Sequence, residues 1–310
     1  MRKKITAVLA AGVVLTMSSV STAHEPPNFI GIIWQWPADQ TPILDGNMVE
    51  WSIIPDDYSL TTDKLQALFE PGDQFVTYTE PDLSSLDIRV TPSYVNGGSR
   101  IYYGYERFDD AWTSDDDIEI VIDADHTGGG VHGNFLADGA TDEEKAREHS
   151  RQAQIYHVFL DDGFRLSGDR WNWMWMTSSD WQEQPPWSDR GYQYEGTPGS
   201  FAEVSLQGEF YLTAFDDYNS QDPDGSVQHV LTEGEIIGHK THVWDFDGTG
   251  PDTYRCDGCE TNAQWSENTE GGSWGDANFL GDYLLESLET ELLATSVEED
   301  SWGAIKASVK

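Results

Sequence analysis

Short runs of alternating apolar and polar residues, separated by turn-forming residues, constrain the fold of this chain more than any other feature. Runs of this kind lie at residues 100–108, 117–123, 154–159, 201–206 and 235–244. Alternation puts successive side chains on opposite faces of a strand, and clusters of Gly, Asp, Asn and Pro mark the turns. Because helical segments do not alternate with these runs, we predict a mainly β protein, an antiparallel β-sandwich of the jelly-roll kind.

A few helical segments are expected as additions to this sandwich. Thr141 and Glu144 have the spacing of a capping box and open a charged helical insertion near residues 138–152. Leucines at roughly helical spacing predict a C-terminal helical segment near residues 279–294. The sequence has no internal repeat and no low-complexity linker. We therefore expect residues 24–310 to form a single domain with few short helices and long loop insertions.

The first residues of the chain have the pattern of a secretory signal peptide. Basic residues at positions 2–4 precede an apolar run that ends near Val20, and Ser-Thr-Ala at residues 21–23 matches a cleavage site. The run is short for a membrane span, and no later segment is apolar enough to be one. We predict that residues 1–23 are a signal peptide, and that the protein is secreted or periplasmic without membrane insertion.

The charge of the chain limits its partners. The formal net charge is −39, from 56 acidic against 17 basic residues, and the acidic residues are spread along the whole sequence. Such a field repels nucleic acid, so we expect no nucleic-acid partner. Two explanations of the acidity stay open: halophilic solubility in a saline habitat, and cation binding at local carboxylate clusters. The content of 13 Trp, 13 Tyr and 12 Phe is far above that of a disordered polyanion.

Cys256 and Cys259 are the only cysteines of the sequence. Outside the cytosol, two cysteines this close predict a small disulfide loop. A structural zinc site needs about four ligands, and a second pair is lacking. Glu260 stands where covalent attachment of c-type haem requires His, which excludes that chemistry here.

Three segments, taken in order, resemble the family 9 carbohydrate-binding modules and their relatives. Residues 43–51 (ILDGNMVEW) are similar to the DG-x-x-x-EW opening of those domains. Residues 101–123, which end in DIEIVID, look like a strand pair of the family, and residues 234–247, which end in VWDFD, look like a later strand and loop. Order and rough spacing agree over about residues 41–250. The resemblance implies a jelly-roll-like sandwich, often with structural calcium, in which two Trp rings enclose a sugar and polar side chains hold its hydroxyls.

The resemblance also implies individual ligand contacts. Trp112 lies close to the position of the family's first sugar-stacking Trp, and Glu119 and Asp245 match polar ligand positions. Tyr156-His157 stands where the family carries Arg, and Trp244 stands where it carries Asn; His157 is kept as a candidate contact. Candidates for the second aromatic ring are Trp265 and Trp274.

A tryptophan-rich region supplies further candidates. Three Trp alternate at residues 171–175, so on a strand they share one face. Such a row either packs into the core or forms a binding platform, and both interpretations stay open. Trp181 and Trp187 flank the loop-like residues 182–186 (QEQPP), and exposed Trp in a loop is typical of a site wall. The candidate ligand contacts of this region are Trp173, Trp175, Trp181 and Trp187.

Carboxylates in turns supply candidate metal ligands. Residues 245–252 (DFDGTGPD) place Asp245, Asp247 and Asp252 in a Gly-rich turn that could direct oxygen atoms at Ca²⁺. Asp123 and Asp125 form a second candidate pair. The alternative, an Asp/Gly turn in an acidic protein, stays open as well.

Two other functions fit parts of the sequence. Residues 169–176 partly match the Trp-x-Trp-Lys segment of the haem-binding branch of this fold, the ethylbenzene dehydrogenase γ-subunit type, with Met174 in place of Lys. Since Met ligates haem iron, a periplasmic electron-transfer subunit with haem b is one alternative. The other is a copper redox enzyme, in which His24 at the predicted mature N-terminus and a second His form a histidine brace.

The sequence favours binding over catalysis. It has no nucleophile elbow, P-loop or dinucleotide motif, and its carboxylates are too abundant to identify a glycosidase pair. We predict a secreted carbohydrate-binding-like module, non-catalytic and stabilised by calcium, whose ligand is a glycan or another small molecule.

Overall fold

The computed structural model describes residues 30–67, 85–112, 116–131, 141–159, 174–175, 180–197, 202–247, 261–266 and 276–288. Their strands are β1 (Ile30–Trp36), β2 (Leu60–Thr61), β3 (Gln66–Ala67), β4 (Leu86–Val95), β5 (Arg100–Asp109), β6 (Ile118–Asp123), β7 (Gln154–Val158), β8 (Met174–Trp175), β9 (Ser188–Glu195), β10 (Val204–Thr213), β11 (Phe215–Asp217), β12 (Val227–Gln228), β13 (Ile236–Asp247), β14 (Thr261–Ser266) and β15 (Gly281–Leu285). The helices are α1 (Asp142–Glu148) and short 3₁₀ turns at Glu50–Ile53, Asp56–Tyr58, Thr62–Lys64, Asp180–Glu183, Pro223–Gly225 and Ala277–Phe279.

The strands form one curled sheet whose two halves face each other. Sheet A has the order β8-β7-β6-β13-β15-β1, with β14 paired to β13 and β3. Sheet B has the order β1-β4-β5-β10-β9, with β2 paired to β4, and β11 and β12 form a small separate ribbon. The prediction of a mainly β sandwich with few short helices is confirmed.

Strand β1 joins the two sheets and departs from the predicted antiparallel pattern. Its first part pairs with Asp282–Leu285 of β15 and its second part with Ser93–Val95 of β4, and both pairings are parallel. The sandwich is therefore mixed at this strand. Sequence alternation fixes which face a side chain takes, but the direction of a neighbouring strand depends on how distant segments meet.

The core lies between the two sheets and follows the period-two pattern. Ile118, Ile120 and Ile122 of β6 are fully buried against strands of sheet B, in a cluster that includes Tyr103 and Phe210. Each of these residues alternates with one that points to the outside of its sheet. We call the side of sheet A turned away from the core its outer face, and use the same term for sheet B.

A second apolar cluster covers part of the outer face of sheet B. It contains Trp34, Trp36, Trp51 and Tyr58, and Trp36 and Trp51 meet edge to face at 5.5 Å. The cluster joins β1 and the segment around residues 43–58 to the sheet.

The segment that resembles the DG-x-x-x-EW motif is held by a buried carboxylate. Glu209 Oε2 accepts hydrogen bonds from the backbone N–H groups of Asp45 (3.1 Å) and Gly46 (3.0 Å), and Oε1 accepts one from Trp51 Nε1 (2.7 Å). Gly46 has φ of 78°, and a Cβ there would lie 2.5 Å from the main chain of Tyr192. The motif therefore has a structural role. Gly46 allows the main chain to lie close to Tyr192, and Asp45, Gly46 and Trp51 donate three N–H groups to Glu209.

One predicted helix is present and the other is not. Thr141 and Glu144 form the predicted capping box, with Thr141 N–H donating to Glu144 Oε2 (2.8 Å) and Glu144 N–H to Thr141 Oγ1 (3.2 Å), before helix α1. The predicted C-terminal helix is wrong where the structure describes it, because Gly281–Leu285 is strand β15. Tyr283 and Leu285 point into the core at period two, and β15 lies between β1 and β13. Residues 289–294 lie outside the described residues.

Within the described part of the chain, no helix has the length and apolarity to cross a membrane. The predicted signal peptide and His24 lie outside these residues.

Candidate ligand-binding site on sheet A

Four residues form a row across neighbouring strands on the outer face of sheet A. In register, His242 of β13 pairs with Glu119 of β6, Glu119 pairs with His157 of β7, and His157 pairs with Trp175 of β8. Directly paired residues lie on the same face of a sheet. The backbone therefore places two imidazoles, a carboxylate and the Trp175 position side by side.

Close polar contacts connect the members of this row into a chain. His242 Nδ1 lies 2.9 Å from Glu119 Oε1, and His157 Nε2 lies 3.3 Å from Glu119 Oε2. His157 Nδ1 lies 2.8 Å from Oδ2 of Asp117, just before β6, and forms a hydrogen bond with it. The imidazole of His157 is therefore held between two carboxylates.

The two histidines control the charge of Glu119. Burial raises the pKa of Glu119, but the charges of His242 and His157, together with the hydrogen bond from His242, outweigh burial and lower it to about 2. Glu119 is therefore an ionised acceptor over the ordinary pH range, held in place from both sides.

Aromatic rings border this row. The Trp244 ring is partly exposed, and its centroid lies 6.3 Å from that of His157. The ring of Phe159 is buried and stacks on His157 at 6.4 Å with an angle of 10°. His157 itself keeps 13% of its side chain exposed. A ligand that reaches this face thus meets one indole and the edge of a fixed imidazole.

Alternation along β13 explains why the predicted site residues of this strand lie on opposite faces of sheet A. His242 and Trp244 face outward, whereas Val243 is buried in the core and Asp245 points toward sheet B. His239, three residues before His242, faces inward as alternation predicts, and its Nε2 lies 3.0 Å from the Tyr103 hydroxyl.

A buried charge cluster lies on the inner side of this end of the sandwich. Nη2 of Arg107 contacts a carboxylate oxygen of Asp109 and lies 3.2 Å from Asp245 Oδ1 and 3.8 Å from Asp116 Oδ1. The guanidinium also lies 4.9 Å from the centre of the Trp112 ring. Burial lowers the pKa of Arg107, but Asp109 and its neighbours raise it well above its usual value.

The oxygens of Asp109, Asp116 and Asp245 lie within 4.8 Å of one another, which is close enough for a shared metal ion. Arg107 Nη2 already lies among them, however, and provides the positive charge that the carboxylates require. The donor set therefore fits a guanidinium rather than calcium. Trp112, at 2% exposure, covers this cluster, and Asp245 faces away from Glu119.

The other predicted carboxylate pair has a different environment. Asp123 is fully buried at the end of β6, and its Oδ2 accepts the N–H of Gly128 at 2.7 Å. Asp125 Oδ1 accepts the N–H (3.2 Å) and the hydroxyl (2.7 Å) of Thr127. Burial raises the pKa of Asp125, and the adjacent Asp123 carboxylate raises it further. A carboxylate whose ionisation is disfavoured by burial and by a second carboxylate beside it fits a cation.

Trp181 and Trp187 lie away from the row. Their rings meet edge to face at 5.1 Å and pack beside Phe215, and Trp181 Nε1 donates to the Ser220 carbonyl at 2.9 Å. Gln182, between them, donates to the hydroxyl of Tyr156, which is buried in the core on the side opposite His157. The structure therefore places these two Trp at the margin of the core and does not bring them to the candidate site.

Several predictions concern parts of the chain that are not described. Trp173, Asp252, Cys256, Cys259 and Trp274 lie outside the described residues. For Met174, Trp175, Trp265 and Asp247 the structure gives the strand position, on β8, β14 and β13, and not the side chain.

Sequence reasoning missed His242 and Asp117 as partners of Glu119 and His157. The signal was the alternation along β13, which places His242 on the same face as Trp244. Glu119 lies on β6, the strand that pairs with β13. Pairing of β6 with β13 was needed to use that signal, and the two strands are more than a hundred residues apart.

No family model matches the chain, and no curated protein matches it. Among solved structures it is similar to a carbohydrate binding module family 9 (CBM9) from Caldicellulosiruptor kristjanssonii in complex with glucose. The likeness covers 83% of this chain and 95% of that chain, with 13% sequence identity and a TM-score of 0.41.

Proposed function

We propose that the protein is a non-catalytic carbohydrate-binding module that holds a sugar on the outer face of sheet A. The observation that carries the proposal is the chain His242–Glu119–His157–Asp117 beside the partly exposed ring of Trp244. Sugars combine hydroxyl groups with apolar C–H faces. The partly exposed edge of His157, held by the buried carboxylates Glu119 and Asp117 and lying beside an indole, matches both properties.

The same row argues against hydrolysis. A glycosidase needs one carboxyl group that is protonated near neutral pH and acts as the general acid. The pKa of Glu119 is about 2, and both Glu119 and Asp117 are engaged by His157. Glu119 therefore has no proton to donate to a leaving group, which favours binding over hydrolysis.

The proposal is tested by titrating the full chain with glucose, mannose and cellobiose while following intrinsic tryptophan fluorescence and heat. Trp244→Ala is expected to weaken binding tenfold or more, since truncation of a central Trp costs on the order of 2 kcal/mol. His157→Gln is expected to weaken it as well, because it removes the imidazole that lies between Asp117 and Glu119.

Trp187→Phe is the matched control, because Trp187 is also partly exposed but packs at the other margin of the core. It should bind as the unaltered chain does. A Trp244→Ala protein that is folded and binds all three sugars with unchanged affinity contradicts the site, and the absence of any glycan binding contradicts the function.

Calcium is proposed at Asp123 and Asp125, where adjacent carboxylates supply oxygen ligands. Its contribution would be structural: it would neutralise the pair and hold the turn after β6. The haem alternative rests on Met174 of β8, and a purified protein without a Soret band after haem is supplied would remove it. The copper alternative requires His24 as the mature N-terminus, which mass spectrometry of the secreted protein determines.

A further inference from the structure

A cleft of about 750 Å³ crosses the outer face of sheet B, on the layer opposite Trp244. Its lining comes from β2, β4, β5, β10 and β9. Neighbouring strands lie about 4.8 Å apart, so the floor is roughly 19 Å across. The volume falls within the range of small-molecule sites, and the width suits an elongated ligand rather than a single ring.

Two rows of residues, each paired across neighbouring strands, form the floor of this cleft. In the first row, Arg89 of β4 pairs with Glu106 of β5, Glu106 with Gln207 of β10, and Gln207 with Gln193 of β9. Paired residues lie on one face, so the row presents a guanidinium, a carboxylate and two amides in sequence across four strands.

The second row runs beside the first and adds an aromatic ring. Asp87 pairs with Phe108, Phe108 with Ser205, and Ser205 with Glu195. Phe108 is partly exposed between these polar neighbours. An apolar ring in the middle of a polar floor gives a ligand a surface for its C–H groups, with hydrogen-bonding groups on both sides.

Part of this lining is fixed and part is open to a ligand. Arg89 is fixed, with Nη2 at 2.8 Å from Asp56 and Nε at 3.1 Å from Ser59 Oγ. Within the described part of the chain, the side chains of Ser205 and Gln207 have no hydrogen-bond partner. The cleft therefore combines a rigid edge with unused donors and acceptors at its centre.

The charge of the lining selects among ligand classes. Asp87, Glu106 and Glu195 outnumber Arg89 and Arg107, and the whole chain has a net charge of −39, so an anionic ligand is repelled. Asp87 accepts a hydrogen bond from Thr62 at 3.0 Å, and Glu106 lies 4.0 Å from Arg89 Nε, so two of the three carboxylates have local partners. The remaining members of both rows are neutral, namely Gln207, Gln193, Phe108 and Ser205, which favours an uncharged ligand over a cation.

We propose that the cleft of sheet B is a second binding site, and that it takes a segment of an uncharged oligosaccharide several sugar units long. Hydroxyl groups along such a chain pair with the amides and carboxylates of the first row, and C–H faces lie on Phe108. This site is independent of the one on sheet A, which holds one sugar beside Trp244.

The test is calorimetric titration of the full chain with cellohexaose, xylohexaose and mannohexaose, each at low and high sodium chloride. At least one is expected to bind, and Phe108→Ala and Gln207→Ala are each expected to weaken it, Phe108→Ala by about tenfold. Binding of an uncharged ligand should not change with salt, because screening acts on charge pairs. Gln207→Ala repeats the test at a second partly exposed position, so that the site is still tested if Phe108→Ala disturbs the fold.

Gln221→Ala, an exposed glutamine in a loop outside the cleft, is the matched control and should bind as the unaltered chain does. Trp244→Ala separates the two sites, because it should abolish the monosaccharide signal and leave the Phe108-dependent hexasaccharide signal. Absence of binding by all three hexasaccharides overturns the cleft proposal, as does binding that neither cleft variant weakens or that falls with salt. Failure of the sheet A proposal is recognised separately, from unchanged monosaccharide binding in Trp244→Ala.

Discussion

Buried ionisable groups determine much of the behaviour of this protein at the scale of the residue. Burial and neighbours compete in setting the pKa of His229, Glu119 and Glu209, whereas burial alone shifts the pKa of His239. In Glu119 the histidines prevail and the pKa falls to about 2, whereas in Glu209 burial prevails and raises the pKa to about 7, despite hydrogen bonds from Trp51, Asp45 and Gly46. A glutamate is thus a fixed anion at Glu119 on sheet A, whereas at Glu209 on sheet B it holds the segment that contains Asp45, Gly46 and Trp51.

Glu209→Gln is expected to lower the free energy of unfolding by about 1–3 kcal/mol. The carboxylate accepts three N–H donors, and an amide has only one accepting oxygen, so its NH₂ group must face a donor. Urea unfolding measures the change. Glu106→Gln, an exposed residue on the adjacent strand, is the control and should change stability little; equal losses in both variants would contradict the anchoring role.

His239 is expected to make the protein less stable as the pH falls. Burial lowers its pKa to about 3, below the usual 6.5, so the folded state keeps it neutral while the unfolded chain takes up a proton. The stability it contributes is present above pH 6.5 and is lost as the pH falls toward 3, by at most about 1.4 kcal/mol per pH unit. In His239→Phe this part of the pH dependence should disappear from unfolding curves measured between pH 7 and 4.

His229 provides the opposite control. Burial lowers its pKa, but hydrogen bonds to Asp216 and Glu235 outweigh burial and raise it. Its contribution is therefore present below pH 6.5 and is lost as the pH rises through the raised pKa, so His229→Gln should cost more stability at pH 6 than at pH 9. The same pH trend in both variants would contradict this assignment.

At the scale of the element, strand β1 decides how the two sheets are joined. The first part of β1 pairs with β15 and its second part pairs with β4. In the first part, Gly31 lies under the ring of Tyr283. A Cβ at Gly31 would lie 2.3 Å from that ring. Close approach of β1 to β15 therefore depends on the missing side chain.

Gly31→Ala is expected to destabilise the protein by about 1–3 kcal/mol, because Tyr283 must move or β1 must separate from β15. Adding Tyr283→Ala should recover part of that loss if the ring is the obstacle. A double-mutant cycle from urea unfolding measures the coupling. Strictly additive losses would show that Gly31 acts through something other than this contact.

At the scale of the whole molecule, the acidity has both general and local consequences. A net charge of −39 repels itself, so any salt should raise the melting temperature by screening. A calcium ion at Asp123 and Asp125 would add a specific effect, about 2.7 kcal/mol at a hundredfold excess over its Kd.

Calcium chloride and sodium chloride compared at equal ionic strength separate these effects. We expect a larger rise in melting temperature with calcium, and loss of the extra rise in Asp125→Asn. Asp189→Asn, an acidic residue on strand β9, is the control and should keep the calcium response. Equal responses to the two salts would leave screening as the whole explanation and contradict the calcium proposal.

The fold class followed from local pattern. The five alternating runs became or overlapped strands β5, β6, β7, β10 and β13, because period two alone determines which side chains can share a face. Glu119 and His157 were named instead from the resemblance to the family 9 carbohydrate-binding modules. Leucines near residue 284 instead gave a false helix, since a short apolar segment fits either period until its neighbours are known.

What the sequence by itself determined is therefore the alternation of faces, and with it the β-sandwich, the capping box before α1 and the separation of His239 from His242. Only the tertiary structure decided which strands became neighbours: it placed His242 beside Glu119, Arg107 among three aspartates, Trp112 under the surface and Arg89 beside Glu106. Side-chain direction depends on adjacent residues, whereas strand pairing depends on contacts between residues far apart in the sequence, more than a hundred positions for His242 and Glu119, which no local pattern contains.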